Sequence, residues 1–270
     1  MKIKLFGTGA AEGFPSGFCN CSWCQIARET GGKNIRTRTS TLINDDLLID
    51  FGPDTFSHSF FHGLDLRKIK HLLITHSHHD HFTPAEIANI HPPMAESNKL
   101  RLYGNDVIID TMERIIDRLK LTERLDLQRV YSGIQYAADS YQITPIKAVH
   151  NPNEDCLLYC ISHGGKTILF AHDTAYFKED AWELAGQHFY NAVIMDCTSL
   201  ETTNYNDVHM GIADNVKMRS HMIDIGIADE NTAFISTHFA HSFGPLHERI
   251  SPLLSDVGLI AAYDGLTIQV

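Results

Sequence analysis

The segment Leu72-Leu73-Ile74-Thr75-His76-Ser77-His78-His79-Asp80-His81 puts four imidazoles and a carboxylate directly behind an apolar run. Imidazole nitrogens and carboxylate oxygens are ligands for divalent ions such as zinc and manganese. In an extended turn His76 and His78 share a face. Asp80 and His81 then follow the turn into the next helix, where they aim at a neighbouring ion. His-x-His-x-Asp-His is therefore the spacing of a two-metal site rather than of one tetrahedral ion. The competing reading, a polar loop of exposed histidines, leaves unexplained why the motif begins where a strand ends. A two-metal site needs further ligands from later strand ends, and the chain has them in Val149-His150, Phe170-Ala171-His172-Asp173 and Ile235-Ser236-Thr237-His238. His76, His78 and His150 would hold the first metal, Asp80, His81 and His238 the second, and Asp173 would bridge both.

Cysteines form a second candidate centre. Cys19-Asn20-Cys21-Ser22-Trp23-Cys24 carries three thiols in six residues. In a chain of cytosolic character, clustered thiols serve metal or redox chemistry more often than disulfides. Three thiolates leave a tetrahedral zinc one ligand short, and His241, three residues beyond His238, is the candidate fourth. One loop would then serve both centres, and this structural zinc would pin the N-terminal loop beside the reactive pair. The alternative is three unligated thiols. Cys197 follows Asp196 at another strand end and is expected to be a buried structural cysteine rather than a ligand.

Such ligands need strand ends to carry them. Apolar runs of strand length occur at 3–6, 41–43, 47–49, 72–74, 100–103, 143–149, 157–161, 167–170, 192–195 and 233–235. Thr83-Pro84-Ala85-Glu86 reads as a capping box with proline in the first turn. Helical spacing links Val107, Ile108, Ile115 and Leu119 over 106–119, and Ile212, Val216 and Ile223 over 211–225. His163-Gly164-Gly165-Lys166 reads as a tight hairpin turn. Strands alternating with helices predict an α/β fold of sheet layers flanked by helices. No linker or low-complexity tract divides the 270 residues, which read as one domain, 1–270, built of two similar halves.

Composition bounds the function. With 43% apolar and 20% charged residues, the chain is that of an ordered globular protein. No run approaches the ~20 apolar residues of a membrane span. Residues 1–7 read as a first strand rather than a signal peptide, so a cytoplasmic location is expected. Against 22 basic residues stand 33 acidic ones, a net charge of −11, which argues against a long nucleic acid as partner. Arg28, Lys33, Arg36 and Arg38 face only Glu29 within eleven residues. They either receive a second phosphate of a substrate or belong to a solvated loop, the commoner case.

The His76–His81 motif with its later ligands resembles the metallo-β-lactamase superfamily over essentially the whole chain. The resemblance implies an αββα sandwich with the ligands between its two sheets. Members hydrolyse lactams, thioesters, phosphodiesters and RNA, so the fold leaves the reaction open. The added cysteine cluster resembles the phosphoribosyl cyclic phosphodiesterases of bacterial phosphonate breakdown. Gly13-Phe14-Pro15 followed by Cys19-Asn20-Cys21 also resembles the accessory proteins of pyrroloquinoline quinone biosynthesis, which share the zinc loop but are not expected to keep all catalytic ligands. Asp50, in Leu48-Ile49-Asp50-Phe51-Gly52, resembles the superfamily aspartate that orients a metal-bound histidine. A purely structural strand-end aspartate is the other reading.

The resemblance implies a phosphodiesterase with two divalent metals, manganese by family likeness and zinc by the same ligand chemistry, plus the structural zinc. A metal pair lowers the pKa of a shared water, whose hydroxide would attack the phosphorus of a small cyclic phosphodiester, either a ribose 1,2-cyclic phosphate or a 2′,3′-cyclic nucleotide. Asp80 anchors that site. His209, in Asp207-Val208-His209-Met210-Gly211, is the candidate proton donor to the leaving oxygen, against the reading of an exposed histidine at a helix start. A homodimer is implied by the resemblance alone. The alternatives are a non-catalytic accessory or carrier protein, and a transfer-RNA 3′-processing endonuclease, whose usual basic arm has no counterpart in this sequence. His58, His62, His79, His172 and His247 carry no assigned role.

Overall fold

The fold is described from a computed structural model for residues 1–90, 99–120, 123–203 and 207–270. Period-two alternation builds the first sheet. Its strands are β1 (Lys2–Gly7), β2 (Ser40–Ile43), β3 (Leu47–Ile49), β4 (His71–Leu73), β5 (Leu100–Gly104) and β6 (Leu125–Arg129). Ile3, Leu5, Leu47, Ile49, Leu73 and Tyr103 point to one face and join the central core. Phe6, Leu48, Leu72 and Leu102 point to the other. The second sheet comprises β7 (Tyr136–Ala138), β8 (Tyr141–Lys147), β9 (Leu157–His163), β10 (Lys166–Ala171), β11 (Ala192–Asp196), β12 (Ala233–Thr237) and β13 (Ile260–Ala261). A last strand, β14 (Thr267–Gln269), returns to pair with β1. The orders are β14-β1-β2-β3-β4-β5-β6 and β13-β12-β11-β10-β9-β8-β7.

Helices cover the outer faces. Helices α1 (Ser22–Thr30), α2 (Thr55–Phe61), α3 (Pro84–Ile87) and α4 (Asp106–Leu119) precede the second sheet in the chain, and α5 (Glu179–Ala185), α6 (Ile212–Asp224) and α7 (His247–Ser255) follow. From α4, Ile108, Ile109, Met112 and Ile116 close the outer face of the first sheet. Ala181, Met218, Met222, Ile250 and Leu254 close that of the second. This is the expected αββα sandwich. Each fully buried Leu or Ile contributes about 1.5–3 kcal/mol of transfer free energy, so the two sheets form a rigid seat for whatever lies at their edge.

Strands β3 to β6 run parallel, as do β10 to β13, so their C-terminal ends gather on one edge. The hairpin at Gly164 and Gly165 forms as predicted, both glycines having positive φ. Other expectations need correction. Thr83 does not cap α3, because its hydroxyl donates to the Phe51 carbonyl at 2.7 Å. Asp80 and His81 lie in a turn before α3 rather than entering the helix. Val107 is exposed, and α4 buries Met112 instead. The strand expected at 143–149 spans Tyr141–Lys147 and tolerates Pro145 because that residue lies beyond the β7 pairing.

The solvated reading of the 28–38 cations fits Arg28 and Lys33, which are exposed, but not Arg36. Arg36 is fully buried, with bonds from its guanidinium to the Pro245 and Ala262 carbonyls and the Thr8 hydroxyl, over the Phe239 ring. Arg38 pairs with Asp54, Arg28 donates to the Ser16 and Cys19 carbonyls, and Lys33 lies over Tyr263.

Candidate metal centre

The motif turn is seated on the chain that leaves β3. Phe51 donates its N–H to the His81 carbonyl and accepts from Thr83 N–H, at 2.8 and 2.9 Å. Gly52 lies beneath the turn, where a Cβ would stand 2.0 Å from the Asp80 carbonyl oxygen; only glycine permits this approach. Asp50 is wholly buried. Its carboxylate accepts the N–H and hydroxyl of Thr75 at 2.9 Å each and His81 Nδ1 at 2.7 Å. The structure places Asp50 against His81 Nδ1, with Nε2 of that ring facing the other ligand atoms.

Three groups of ligand atoms contain Asp173: two correspond to the predicted sets, and the third joins Asp173 to Asp196, His209 and His238. In the first, His78 Nδ1 lies 3.0 Å from His76 Nε2 and 3.1 Å from His150 Nε2. Asp173 Oδ2 is 3.3 Å from the His76 nitrogen. In the second, His81 Nε2 lies 3.2 Å from Asp80 Oδ2 and 2.9 Å from Asp173 Oδ2, and His238 Nε2 is 3.6 Å from Asp80 Oδ2. The structure therefore brings together all seven predicted ligands. The two predicted sets also fit a cation on chemical grounds. His81 Nε2, His238 Nε2 and Asp173 Oδ1 are buried without a hydrogen-bond partner, and burying such atoms unsatisfied is costly.

Electrostatics divides the histidines. Burial pushes His150 down to about 4, despite Asp173 beside it, and also lowers His78. Both shifts favour the neutral imidazole, the form that ligates a metal. Burial acts the same way on His81 and His238, but the carboxylates outweigh it. Asp80, Asp173 and Asp50 raise His81 well above its ordinary value, and Asp173 and Asp80 lift His238 to about 10. Burial opposes ionisation of Asp80 and Asp173, yet the histidines around them hold both well below the usual carboxylate range. Asp50, Asp173 and His238 adopt positive φ of 61°, 47° and 62°.

His209 stands at the mouth of the cluster, 15% exposed. It comes from the loop between β11 and α6, as expected, and its ring stacks on that of His238 with centroids 5.8 Å apart. Its Nδ1 meets Asp196 Oδ2 at 2.6 Å. Burial works against its protonation, but Asp196 raises it. Asp196, which the sequence reading passed over for its neighbour Cys197, is a buried member of a ligand-capable group with His209, whereas Cys197 is buried and outside every ligand group among the described residues. Thr198 was also missed; its hydroxyl lies 2.9 Å from His238 Nδ1. A carboxylate at the C-terminal end of a central parallel strand was the available signal for Asp196.

Cys19, Cys21 and Cys24 come together as a group, with the Trp23 ring against Gly244. His241 is not in that group; its Nδ1 lies 3.3 Å from Glu12 Oε1. Among the unassigned histidines, His172 and His58 are buried, with His172 Nδ1 3.1 Å from the Thr39 hydroxyl.

The profile of the beta-lactamase superfamily domain matches residues 46–233, more than half of the chain. The chain belongs to the metallo-β-lactamase superfamily. No curated protein matches it in sequence. Solved structures of the superfamily fold superpose over nearly their whole length. Zinc-bound PqqB from Methylobacterium extorquens has a TM-score of 0.77 at 19% identity, covering 100% of both chains. A diphosphatase of the PhnP family has a TM-score of 0.74 at 20% identity, covering 99% of this chain and 97% of its own. The short form of human tRNase Z has a TM-score of 0.69 at 15% identity, covering 100% and 99%. At these identities the likeness is one of superfamily fold. Among the described residues no helix is long and apolar enough to cross a membrane.

Proposed function

We propose that the protein is a metal-dependent phosphodiesterase that hydrolyses small cyclic phosphodiesters, ribose 1,2-cyclic phosphates or 2′,3′-cyclic nucleotides. His76, His78, His150 and Asp173 would hold one divalent ion, and Asp80, His81, His238 and the same Asp173 a second, as manganese or zinc. When bound, such a pair supplies Lewis acidity and a water acidified for attack at phosphorus. The chain supplies the rest. Asp50 fixes the His81 ring, Thr198 fixes His238, and His209 gives its proton to the departing ribose oxygen while Asp196 holds its Nδ1.

The observation that carries this reading is the pair His209–Asp196. His209 is held by a buried carboxylate at the open side of both predicted ligand sets, a placement that suits proton transfer, although the pair also lies within ligand distance of Asp173 and His238. The likeness to a diphosphatase of the PhnP family is in keeping with a phosphate-bearing substrate, and the acidic net charge favours a small substrate over a transfer RNA. A zinc at Cys19, Cys21 and Cys24 belongs to the proposal, with His241 as a fourth ligand that must leave Glu12. The six unpaired cysteines favour a reducing compartment, the cytoplasm.

The test is hydrolysis of 2′,3′-cyclic AMP by manganese-loaded protein, with Asp80→Ala as the matched control. The expected result is release of one phosphomonoester that the variant does not make. Absence of turnover on this compound and on a ribose 1,2-cyclic phosphate, in fully loaded protein, overturns the reading in favour of a PqqB-like accessory role. Cleavage of a precursor transfer RNA alone would favour the endonuclease.

A further inference from the structure

Asp50 steadies a histidine of the second ligand group, and a different carboxylate touches both loops that carry the first. Glu154 lies half-buried between β8 and β9. The Ser77 hydroxyl donates to its Oε1 at 2.6 Å, and Ser77 N–H reaches both carboxylate oxygens at 3.2 and 3.1 Å. The side-chain amide of Asn151 donates to Oε1 at 3.2 Å and that of Asn105 to Oε2 at 2.9 Å. Ser77 stands between His76 and His78, and Asn151 directly follows His150. One carboxylate therefore spans the two chain segments that must converge for three imidazoles to share an ion.

The carboxylate is itself anchored. Asn105 accepts the Ile108 N–H as the cap of the 14-residue helix α4, and donates a second bond to the Asp155 carbonyl. Its amide cannot turn over without losing the cap. Burial opposes ionisation of Glu154, but the bonds from Ser77 and Asn105 hold it below the usual carboxylate range. The hub is thus an anion with four donor groups converging on it, fixed to a helix.

We infer that Glu154 is the positioning residue of the first metal site, setting the spacing of His76, His78 and His150 through Ser77 and Asn151. The inference rests on the reading that these ligands hold an ion. Outer partners of metal ligands are worth about 10–100-fold in affinity.

The experiment is a zinc competition titration of the full chain against a chromophoric chelator, comparing the parent with Glu154→Ala, Glu154→Gln, Ser77→Ala and His150→Ala. Expected is a loss of about 10–100-fold in affinity for one ion in Glu154→Ala, partial recovery in Glu154→Gln, and a smaller loss in Ser77→Ala. The ion weakened is the one lost in His150→Ala, so adding Glu154→Ala to that background changes nothing further. Equal weakening of both reactive-site ions, or of neither, in Ser77→Ala and whichever Glu154 variants fold, overturns the inference and leaves the metal site standing. A parent that binds no ion outside the thiol cluster overturns both.

Discussion

The Nδ1 of His209 lies 2.6 Å from Oδ2 of Asp196, and that carboxylate is fixed from behind by the N–H groups of Thr198, at 2.8 Å, and Thr174, at 3.2 Å. The imidazole can therefore swing little, and its Nε2 is the atom left to act. Replacing His209 by Gln should lower kcat on a cyclic phosphodiester by about 10²–10⁴-fold. Asp196→Asn should lose much of the same factor, and the double variant little more. A 4-nitrophenyl phosphodiester, whose leaving group needs no proton, should be nearly indifferent to both changes. Equal losses on both substrates would remove His209 from the role of acid.

Asp50→Asn keeps the shape of the side chain but only one acceptor oxygen, which the Thr75 N–H and hydroxyl claim, so that an NH2 group faces His81 Nδ1. The second ion should bind about 10–100-fold more weakly, read as metal retained per chain after dialysis against a graded chelator. Retention equal to the parent would make Asp50 a strand-end residue only.

Gly52→Ala places a methyl group where the Asp80 carbonyl already stands. Because the obstacle is backbone, the motif turn must move. The expected cost is about 1–3 kcal/mol in denaturant unfolding, together with loss of metal at the turn. A variant of parental stability and metal content would show that the turn has slack.

Acid stability should depend on a network remote from the metals. The Thr37 hydroxyl donates to Asp264 Oδ2 at 2.6 Å and lies 2.8 Å from His58 Nε2. Burial pushes His58 down from 6.5 to about 3 and Asp264 up from 3.8 to about 6. Between pH 6.5 and 3 only the unfolded His58 is charged, so its contribution is lost as pH falls through that window. Asp264 works in the opposite sense, since between pH 3.8 and 6 the folded state holds the extra proton and stability falls as pH rises. Relative to the parent, His58→Gln should flatten the acid loss and Asp264→Asn should steepen it. Unfolding free energies measured from pH 3 to 7 check the signs, and parallel curves would refute both.

Cys21→Ser should reduce zinc by one ion per chain without touching the reactive pair, and His241→Ala should do the same if that ring leaves Glu12 for the thiols. Metal analysis of the purified variants decides each separately.

The ligands were legible in the sequence because each ends an apolar strand, and strand direction alone delivers them to one edge. Asp50 was legible only through the family resemblance, since its place at a strand end fits a structural aspartate equally well. What escaped the sequence depends on contacts between segments far apart in the chain. Glu154 reaches the His76–His78 turn through Ser77, 77 residues away in the chain, and a lone glutamate in a turn carries no periodic signal. Arg36 sits in a run of charges that pattern reading sends to solvent, yet three distant acceptors draw it into the interior. Thr83 satisfies a capping pattern, but the carbonyl of Phe51 takes its hydroxyl first. Local rules fail where a partner from another strand outbids the local one.

The left-handed backbone at Asp50, Asp173 and His238 has a consequence for how this chain can evolve. Each such residue is held in a conformation costing about 1–3 kcal/mol, and glycine or asparagine would relieve it. Selection for thermal endurance alone would therefore drift toward those residues and erase the site. Three of the seven non-glycine residues with positive φ among the described residues are thus ones whose side chains the ligand cluster uses, so relief of strain there would cost the cluster its atoms.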